Sequence, residues 1–251
     1  MLMTFEQVSY TYPCNPKPTL RGLSLEIVAG RRCAVIGQNG CGKTTLFRLA
    51  NGLYRPTAGR VCWENAPLRY DRPSLYQLRQ QVGLVFQNPE EQLVAATVEE
   101  DLSYGLCNLG LPDADIAQRV QQALEDFELT DLADFPVNYL SLGQKKRLAI
   151  ADIMILRPRL LLLDEPTAFL DPGQIRNLRQ LLTAIATTGT TLVIATHDLN
   201  FVCDWADWVV VMHQGQVAME GTPNQVFRHQ QTLERLGLGV PSLFQPNQQM
   251  G

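Results

Sequence analysis

The sequence predicts an α/β fold, a parallel sheet core interrupted by a helical insert, on three observations. Arg32 to Ile36 is a compact apolar run that leads into a glycine-rich turn and then a helical pattern. From about Pro89 to Leu156 the apolar residues recur at three- and four-residue spacing, the period of helices that bury one face. After that, short apolar runs return, and runs buried on both faces are the mark of parallel strands.

The first third of the chain reads as extended segments at Phe5 to Tyr10, Leu23 to Val28 and Arg60 to Glu64, punctuated by Pro13, Pro16, Pro18, Gly22, Gly30 and Gly59. Thr44 to Leu53 reads as the helix behind the glycine-rich turn. Within the insert, helices are expected at Thr97 to Leu106, Ala114 to Phe127 and Leu142 to Leu156. Leu160 to Leu163, Thr191 to Ala195 and Trp208 to Met212 are buried-strand candidates, with Gly173 to Thr187 as a crossover helix. There is no internal repeat. The expectation is one domain over residues 1–251, with the insert at about 89–156 and a short tail at about 229–251. From Gly237, with Pro241, Pro246 and a Gln-rich end, that tail reads as loosely ordered.

Composition narrows the function. With 45% hydrophobic and 18% charged residues, the chain has the balance of an ordinary globular protein rather than a disordered one. A formal charge of -4 gives no global basic field, so nucleic acid is not an expected partner. No run approaches the ~20 apolar residues of a membrane-spanning helix, and Leu160 to Leu163 is closed at once by Asp164 and Glu165. The N-terminal MLMTFEQVSY has no basic and apolar export signature, which points to the cytoplasm. The 6 cysteines form no C-x-x-C pair and no ligand spacing with His197, His213 or His229, so free thiols are expected. Lys145, Lys146 and Arg147 read as a solvated basic helix face. His213 and His229 read as surface residues, and Trp205 and Trp208 as packing under the last strand.

Chemistry is concentrated in two segments. Gly37-Gln38-Asn39-Gly40-Cys41-Gly42-Lys43-Thr44, with Thr45 following, fits G-x-x-x-x-G-K-[ST] in full and lies after a strand and before a helix. The backbone N–H groups of such a loop cradle phosphate, the helix N-terminus adds positive potential, Lys43 reaches the terminal phosphates and the Thr44 hydroxyl can ligand Mg²⁺. Leu160-Leu-Leu-Leu-Asp164-Glu165 ends an apolar strand in two carboxylates, the first placed to hold the metal shell and the second to polarise an attacking water. Alone that ending is common; behind a phosphate loop it is specific. ATP and Mg²⁺ are the expected ligands, with Thr44 and Asp164 as metal ligands. The same positive surroundings lead to the expectation that Cys41 has a depressed thiol pKa and is reactive where solvent reaches it.

Leu140-Ser141-Leu142-Gly143-Gln144, followed by Lys-Lys-Arg, resembles the signature segment of ABC-type ATPases, with Leu142 in place of the usual glycine. Other positions fill the family pattern in order. Gln87 resembles the Q-loop glutamine, which implies a third Mg²⁺ ligand that couples the metal and the attacking water to a transport partner. Leu170-Asp171 resembles the D-loop, His197 the switch histidine at the γ-phosphate, and Tyr12 the aromatic residue on which adenine stacks. The resemblance spans about residues 4–228. It implies a RecA-like P-loop NTPase core with an N-terminal antiparallel β subdomain and an inserted α-helical subdomain. It also implies a head-to-tail homodimer, or a heterodimer with a similar ATPase, in which Ser141, Gly143 and Gln144 of one subunit complete the other's site. In that reading Glu165, Lys43 and His197 are catalytic.

Phe86-Gln-Asn-Pro-Glu-Glu-Gln-Leu93, Thr97-Val-Glu-Glu-Asp-Leu102 and Gly143-Gln-Lys-Lys-Arg-Leu-Ala-Ile-Ala151 look like the ATPases of energy-coupling-factor importers, especially the cobalt and nickel branch and its vitamin-importing relatives. That implies an integral membrane coupling protein and a substrate-binding membrane protein as partners, at the cytoplasmic face of the cell membrane. The loop from Pro89 to Leu93 is expected to dock the coupling protein. A soluble ABC-type ATPase of DNA repair or translation stays open, although only a compact insert separates Lys43 from Ser141 and there is one ATPase unit. A P-loop kinase would leave Ser141 and His197 without a task.

Overall fold

In the computed structural model the described residues are 1–13 and 15–244. Cys14 and the Gln-rich end lie outside them. β1 (Met3–Tyr10) and β2 (Leu20–Ile27) pair antiparallel and bury Met3, Phe5, Val8, Leu23 and Leu25. β3 (Arg32–Ile36) runs through the phosphate loop into α1 (Lys43–Ala50). That helix stops short of the expected Leu53 because Gly52, at φ 69°, turns the chain out of it. β4 (Ala58–Trp63) and the two-residue β5 (Ala66–Pro67) complete a sheet of order β2-β1-β4-β5 among the described residues.

Next come α2 (Arg72–Gln81) and β6 (Val82–Val85), then the helical insert with α3 (Val98–Asn108), α4 (Asp113–Asp126) and α5 (Leu142–Met154). The core resumes with β7 (Leu160–Asp164), α6 (Pro172–Thr187), β8 (Thr191–Ala195), α7 (Leu199–Trp205), β9 (Trp208–His213) and β10 (Gln216–Gly221), followed by α8 (Pro223–Phe227) and α9 (Gln230–Arg235). The second sheet has the order β10-β9-β3-β8-β7-β6, parallel except for its β9–β10 edge. The α/β architecture expected from the sequence is therefore present.

Alternation in the central strands builds two apolar clusters, one on each face of this sheet. Leu161 and Leu163 of β7 join one cluster and Leu160 and Leu162 the other, as do Ile36 against Val35 in β3 and Ile194 against Val193 in β8. The four leucines of β7 are all 0% exposed, and burying one such side chain is worth about 1.5–3 kcal/mol of transfer free energy. β8 lies between β3 and β7, so the carboxyl ends of all three strands open on one edge, where α/β sheets bind ligands.

The insert is tied to that edge by polar contacts. Asp101 Oδ1 accepts the N–H groups of Val94 and Ala95 at 2.8 and 2.6 Å, holding the chain downstream of Gln87. Asp152 faces Asp101, and burial together with that neighbouring carboxylate holds the Asp152 carboxyl well above the usual carboxylate range. Gln92 bridges two elements: its Oε1 accepts the Phe86 N–H at 3.3 Å and its Nε2 donates to the Ala149 carbonyl of α5 at 2.6 Å. Glu90 pairs with Lys145 of the same helix at 2.7 Å.

The segment after Gly237 departs from the expected loose tail as far as Phe244. Ser242 donates through its N–H and hydroxyl to Asn200 Oδ1 at 2.8 and 2.9 Å. The Phe244 ring lies 5.7 Å from that of Phe227, and Gln38 Nε2 reaches the Gly237 carbonyl at 3.4 Å. No helix among the described residues is long and apolar enough to cross a membrane.

Candidate functional site

The phosphate loop is bent tightly against the core. A Cβ on Gly37 would collide with the Met212 carbonyl of β9, and one on Gly42 would stand 2.6 Å from Leu20 Cδ2, so neither position admits a side chain. Gly42, at φ 111°, is the N-cap of α1 and offers no side-chain cap, which leaves the first N–H groups of the helix open to an anion. Lys43 folds back over the loop, its Nζ donating to the Gly37 carbonyl at 2.8 Å.

Opposite the loop, β7 delivers Asp164 and Glu165. Glu165 sits at φ 47°, a left-handed backbone that a non-glycine residue adopts at a cost of about 1–3 kcal/mol. Its N–H donates to the Ala195 carbonyl of β8 at 2.7 Å, and its two carboxylate oxygens divide between neighbours. Oε1 is 3.7 Å from Lys43 Nζ, and Oε2 is 2.8 Å from His197 Nδ1 and accepts the His197 backbone N–H at 3.3 Å. Since a carboxylate only accepts, Nδ1 carries the proton of that contact. The His197 ring is 66% exposed and borders the cleft.

Asp164 is 5% exposed, and its Oδ1 has no hydrogen-bond partner among the described residues. Burial raises its pKa, against the opposing pull of the Thr44 hydroxyl, Lys43 and Arg48. A buried carboxylate with an orphan oxygen beside a threonine hydroxyl is the donor set of a hard, oxygen-loving cation, so Thr44 and Asp164 fit Mg²⁺.

Tyr12, the loop residues Gly37 to Thr45 apart from Cys41, Gln87, Asp164, Glu165 and His197 line one open cleft of about 1480 Å³. Tyr12 is held by its hydroxyl to Thr45 Oγ1 at 3.0 Å and by an edge contact with the Tyr10 ring at 5.1 Å. Ser141, Gly143 and Gln144 are elsewhere, in a separate cavity of about 720 Å³ between α5 and α6. Ser141 and Gln144 form a capping box at the start of α5, and a Cβ on Gly143 would stand 2.9 Å from Gln174 Nε2 of α6. Asp171 caps α6. Leu170 borders both the cleft and the cavity.

Two expectations are corrected. Cys41 is 5% exposed, faces away from the cleft into the apolar cluster, and burial pushes its thiol up, outweighing the lowering effect of Lys43. Maleimide labelling of the folded chain followed by peptide mapping is expected to modify the exposed Cys107 at least about tenfold faster than Cys41; equal rates would contradict this burial. Lys146 is not a solvated residue either. It is 6% exposed, and its Nζ donates to the carbonyls of Glu165, Pro166 and Ala168 at 3.3, 2.9 and 2.7 Å. Its flanks reach outward, Lys145 to Glu90 and Arg147 to Glu128.

Three further features of the site went unread in the sequence. Lys146 is one, since a basic triplet carries no sign of which member turns inward. Phe169 is another: it borders the cleft at φ 63° and is 86% exposed. The third is Gly237 to Gly239, which lines the cleft from the far end of the chain.

A family profile described as ABC transporter matches residues 20–168. The chain belongs to the ABC transporter family. It is an ATP-binding protein of that family, an ATPase coupled to transport and close to the energy-coupling-factor ATPases. The cassette is 61% identical over 244 residues to a Nostoc sp. protein provisionally named as an ABC transporter ATP-binding protein, covering 97% of this chain and 89% of that one. It is 41% identical to the energy-coupling factor transporter ATP-binding protein EcfA of Methanocaldococcus jannaschii, over 92% of this chain and 83% of the relative. It is 40% identical to the cobalt import ATP-binding protein CbiO of Salmonella paratyphi A, over 94% and 87%. Among solved structures, CbiO1 from Clostridium perfringens, described as part of the ABC transporter complex CbiONQ, superposes with a TM-score of 0.84 at 38% identity, covering 97% of both chains. The cassette MJ0796, solved as a dimer with ADP and phosphate, gives 0.80 at 27% identity over 88% of this chain and 99% of that one.

Proposed function

We propose that the chain powers an importer of the energy-coupling-factor type by hydrolysing ATP in a head-to-tail dimer, as a homodimer or with a similar ATPase. The observation that carries this reading is the division of the site. One cleft gathers Lys43, Asp164, Glu165 and His197, while Ser141 opens into a separate cavity of the same chain. A second subunit related by a two-fold rotation brings its Ser141 segment to the first subunit's cleft and receives the same service in return.

Within the cleft, the open N-terminus of α1 and Lys43 bind the phosphates, and Tyr12 stacks on adenine. Glu165 polarises the attacking water, and His197, oriented through its Nδ1 proton, places its other ring nitrogen toward the γ-phosphoryl group. Thr44 and Asp164 would hold Mg²⁺, with Gln87 as a further ligand at the cleft wall. When bound, the metal would supply charge neutralisation on the nucleotide's phosphates. ATP draws two cassettes together, and hydrolysis releases them.

The partners proposed are an integral membrane coupling protein and a substrate-binding membrane protein, with the cassette peripheral at the cytoplasmic face. The cargo is cobalt, nickel or a vitamin, and it is carried by the membrane proteins. Relatives named for energy-coupling-factor transport and for cobalt import support this. The docking surface is the short helical turn Pro89–Glu91 with its exposed Glu90 and Glu91, since this loop lies between Gln87 and the insert. The double variant Glu90→Lys/Glu91→Lys is expected to lower recovery of the cassette on an immobilised coupling protein about tenfold or more, with ATP affinity unchanged. Equal recovery of variant and wild type in a detergent pull-down would remove this docking surface.

A further inference from the structure

The ammonium of Lys146 is buried beside the hydrolytic turn with no carboxylate bonded to it. Enclosing a cation is expensive unless every donor is used, and Lys146 spends all three of its N–H bonds on backbone carbonyls of one short segment, Glu165, Pro166 and Ala168. That segment needs them. Glu165 at φ 47° and Phe169 at φ 63° bracket it with left-handed backbone, and Pro166 can donate no N–H of its own. These bends turn the Glu165, Pro166 and Ala168 carbonyls to one side, where an apolar side chain of the same length would take the Lys146 donor from all three and leave only the Glu165 carbonyl with its bond from the Ala168 N–H. Inside the turn, the Ala168 N–H donates to the Glu165 carbonyl at 3.1 Å and the Leu170 N–H to the Thr167 carbonyl at 3.3 Å, which is sparse bonding for a strained segment.

We propose that Lys146 is a positioning residue for hydrolysis: by gathering the carbonyls of Glu165, Pro166 and Ala168 it fixes the left-handed backbone that directs the Glu165 carboxylate into the cleft. The proposal rests on the reading of Glu165 as the hydrolytic carboxylate. Lys146 touches neither nucleotide nor water in this role. Its removal therefore affects turnover and leaves ATP binding, which depends on the phosphate loop, in place.

The experiment compares wild type, Lys146→Met, Glu165→Gln and the double variant as full chains, by ATPase kinetics and ATP affinity. Lys146→Met is expected to lower kcat about 10- to 100-fold, as small misplacements of a reacting group do, with KM and ATP affinity within about twofold of wild type. Lys146→Gln, which keeps two N–H donors, should recover part of the lost kcat. The double variant should be no slower than Glu165→Gln, because a residue that acts only through Glu165 has nothing left to position. Wild-type kcat in Lys146→Met overturns the proposal. So does a double variant slowed further by the full factor of Lys146→Met, which marks damage independent of Glu165. Where Lys146→Met fails to fold, Lys146→Gln enters the same cycle with the same criteria. Wild-type turnover in Glu165→Gln overturns the reading of Glu165 itself and the proposal with it, so the single variant that stays active tells the two failures apart.

Discussion

Glu165→Gln is expected to cut steady-state ATP hydrolysis by about 10²- to 10⁴-fold, the range lost with a general base. The amide keeps the volume of the carboxylate and can still accept the His197 Nδ1–H, so the phosphate loop is untouched. What disappears is the negative charge proposed to polarise water, which lies 3.7 Å from Lys43. ATP affinity should therefore hold or rise, since Lys43 no longer shares its charge with a neighbouring carboxylate. Binding without turnover should also trap ATP between two subunits, seen as a shift to dimer in size-exclusion chromatography with ATP. Wild-type hydrolysis at saturating ATP would rule out Glu165 as the hydrolytic group.

Ser141→Arg should lower dimer-dependent hydrolysis by about 10²-fold or more, comparable with removing a donor that stabilises transition-state charge, while the isolated subunit binds ATP as before. The reason is spatial, because Ser141 borders a cavity that is distinct from its own subunit's ATP cleft. Ser141 also caps α5, and losing a cap costs about 0.5–2 kcal/mol. Ser141→Asn separates the two roles, since asparagine caps equally well and lacks the bulk of arginine. Loss of nucleotide affinity in the Ser141→Arg subunit, as severe as in Lys43→Ala, would place Ser141 in its own subunit's site and end the head-to-tail arrangement.

Much of the fold and of the cleft was legible because the informative signals are local. A strand, a G-x-x-x-x-G-K-T turn and a helix are contiguous, and Arg32–Ile36 and Thr191–Ala195 appear with the bounds expected of them. Asp164 and Glu165 follow from where an apolar strand ends. What was missed depends on distant partners. Cys41 looks reactive beside Lys43, yet its surroundings are set by the chain's bend against β9, some 170 residues on. Lys146 turns inward because of carbonyls about 20 residues away. α2 escaped notice because it buries only Leu78 and so has no apolar stripe, although Asp71 caps it and a proline opens it. The tail is ordered to Phe244 by Asn200 and Phe227, which no pattern within the tail itself announces.

The hold of the Pro89–Glu91 turn and Gln92 on α5 has a mechanical consequence. Glu90 grips the helix at Lys145 and Gln92 grips it at Ala149, and four residues of helix separate those points by about 6 Å. One attachment would act as a pivot about which the helix could swivel while the loop moved. Two attachments a turn apart form a bracket that resists rotation as well as sliding. A push on Pro89–Glu91 is therefore expected to reach α5 at both points and, through it, the amino end of that helix, where Ser141 stands.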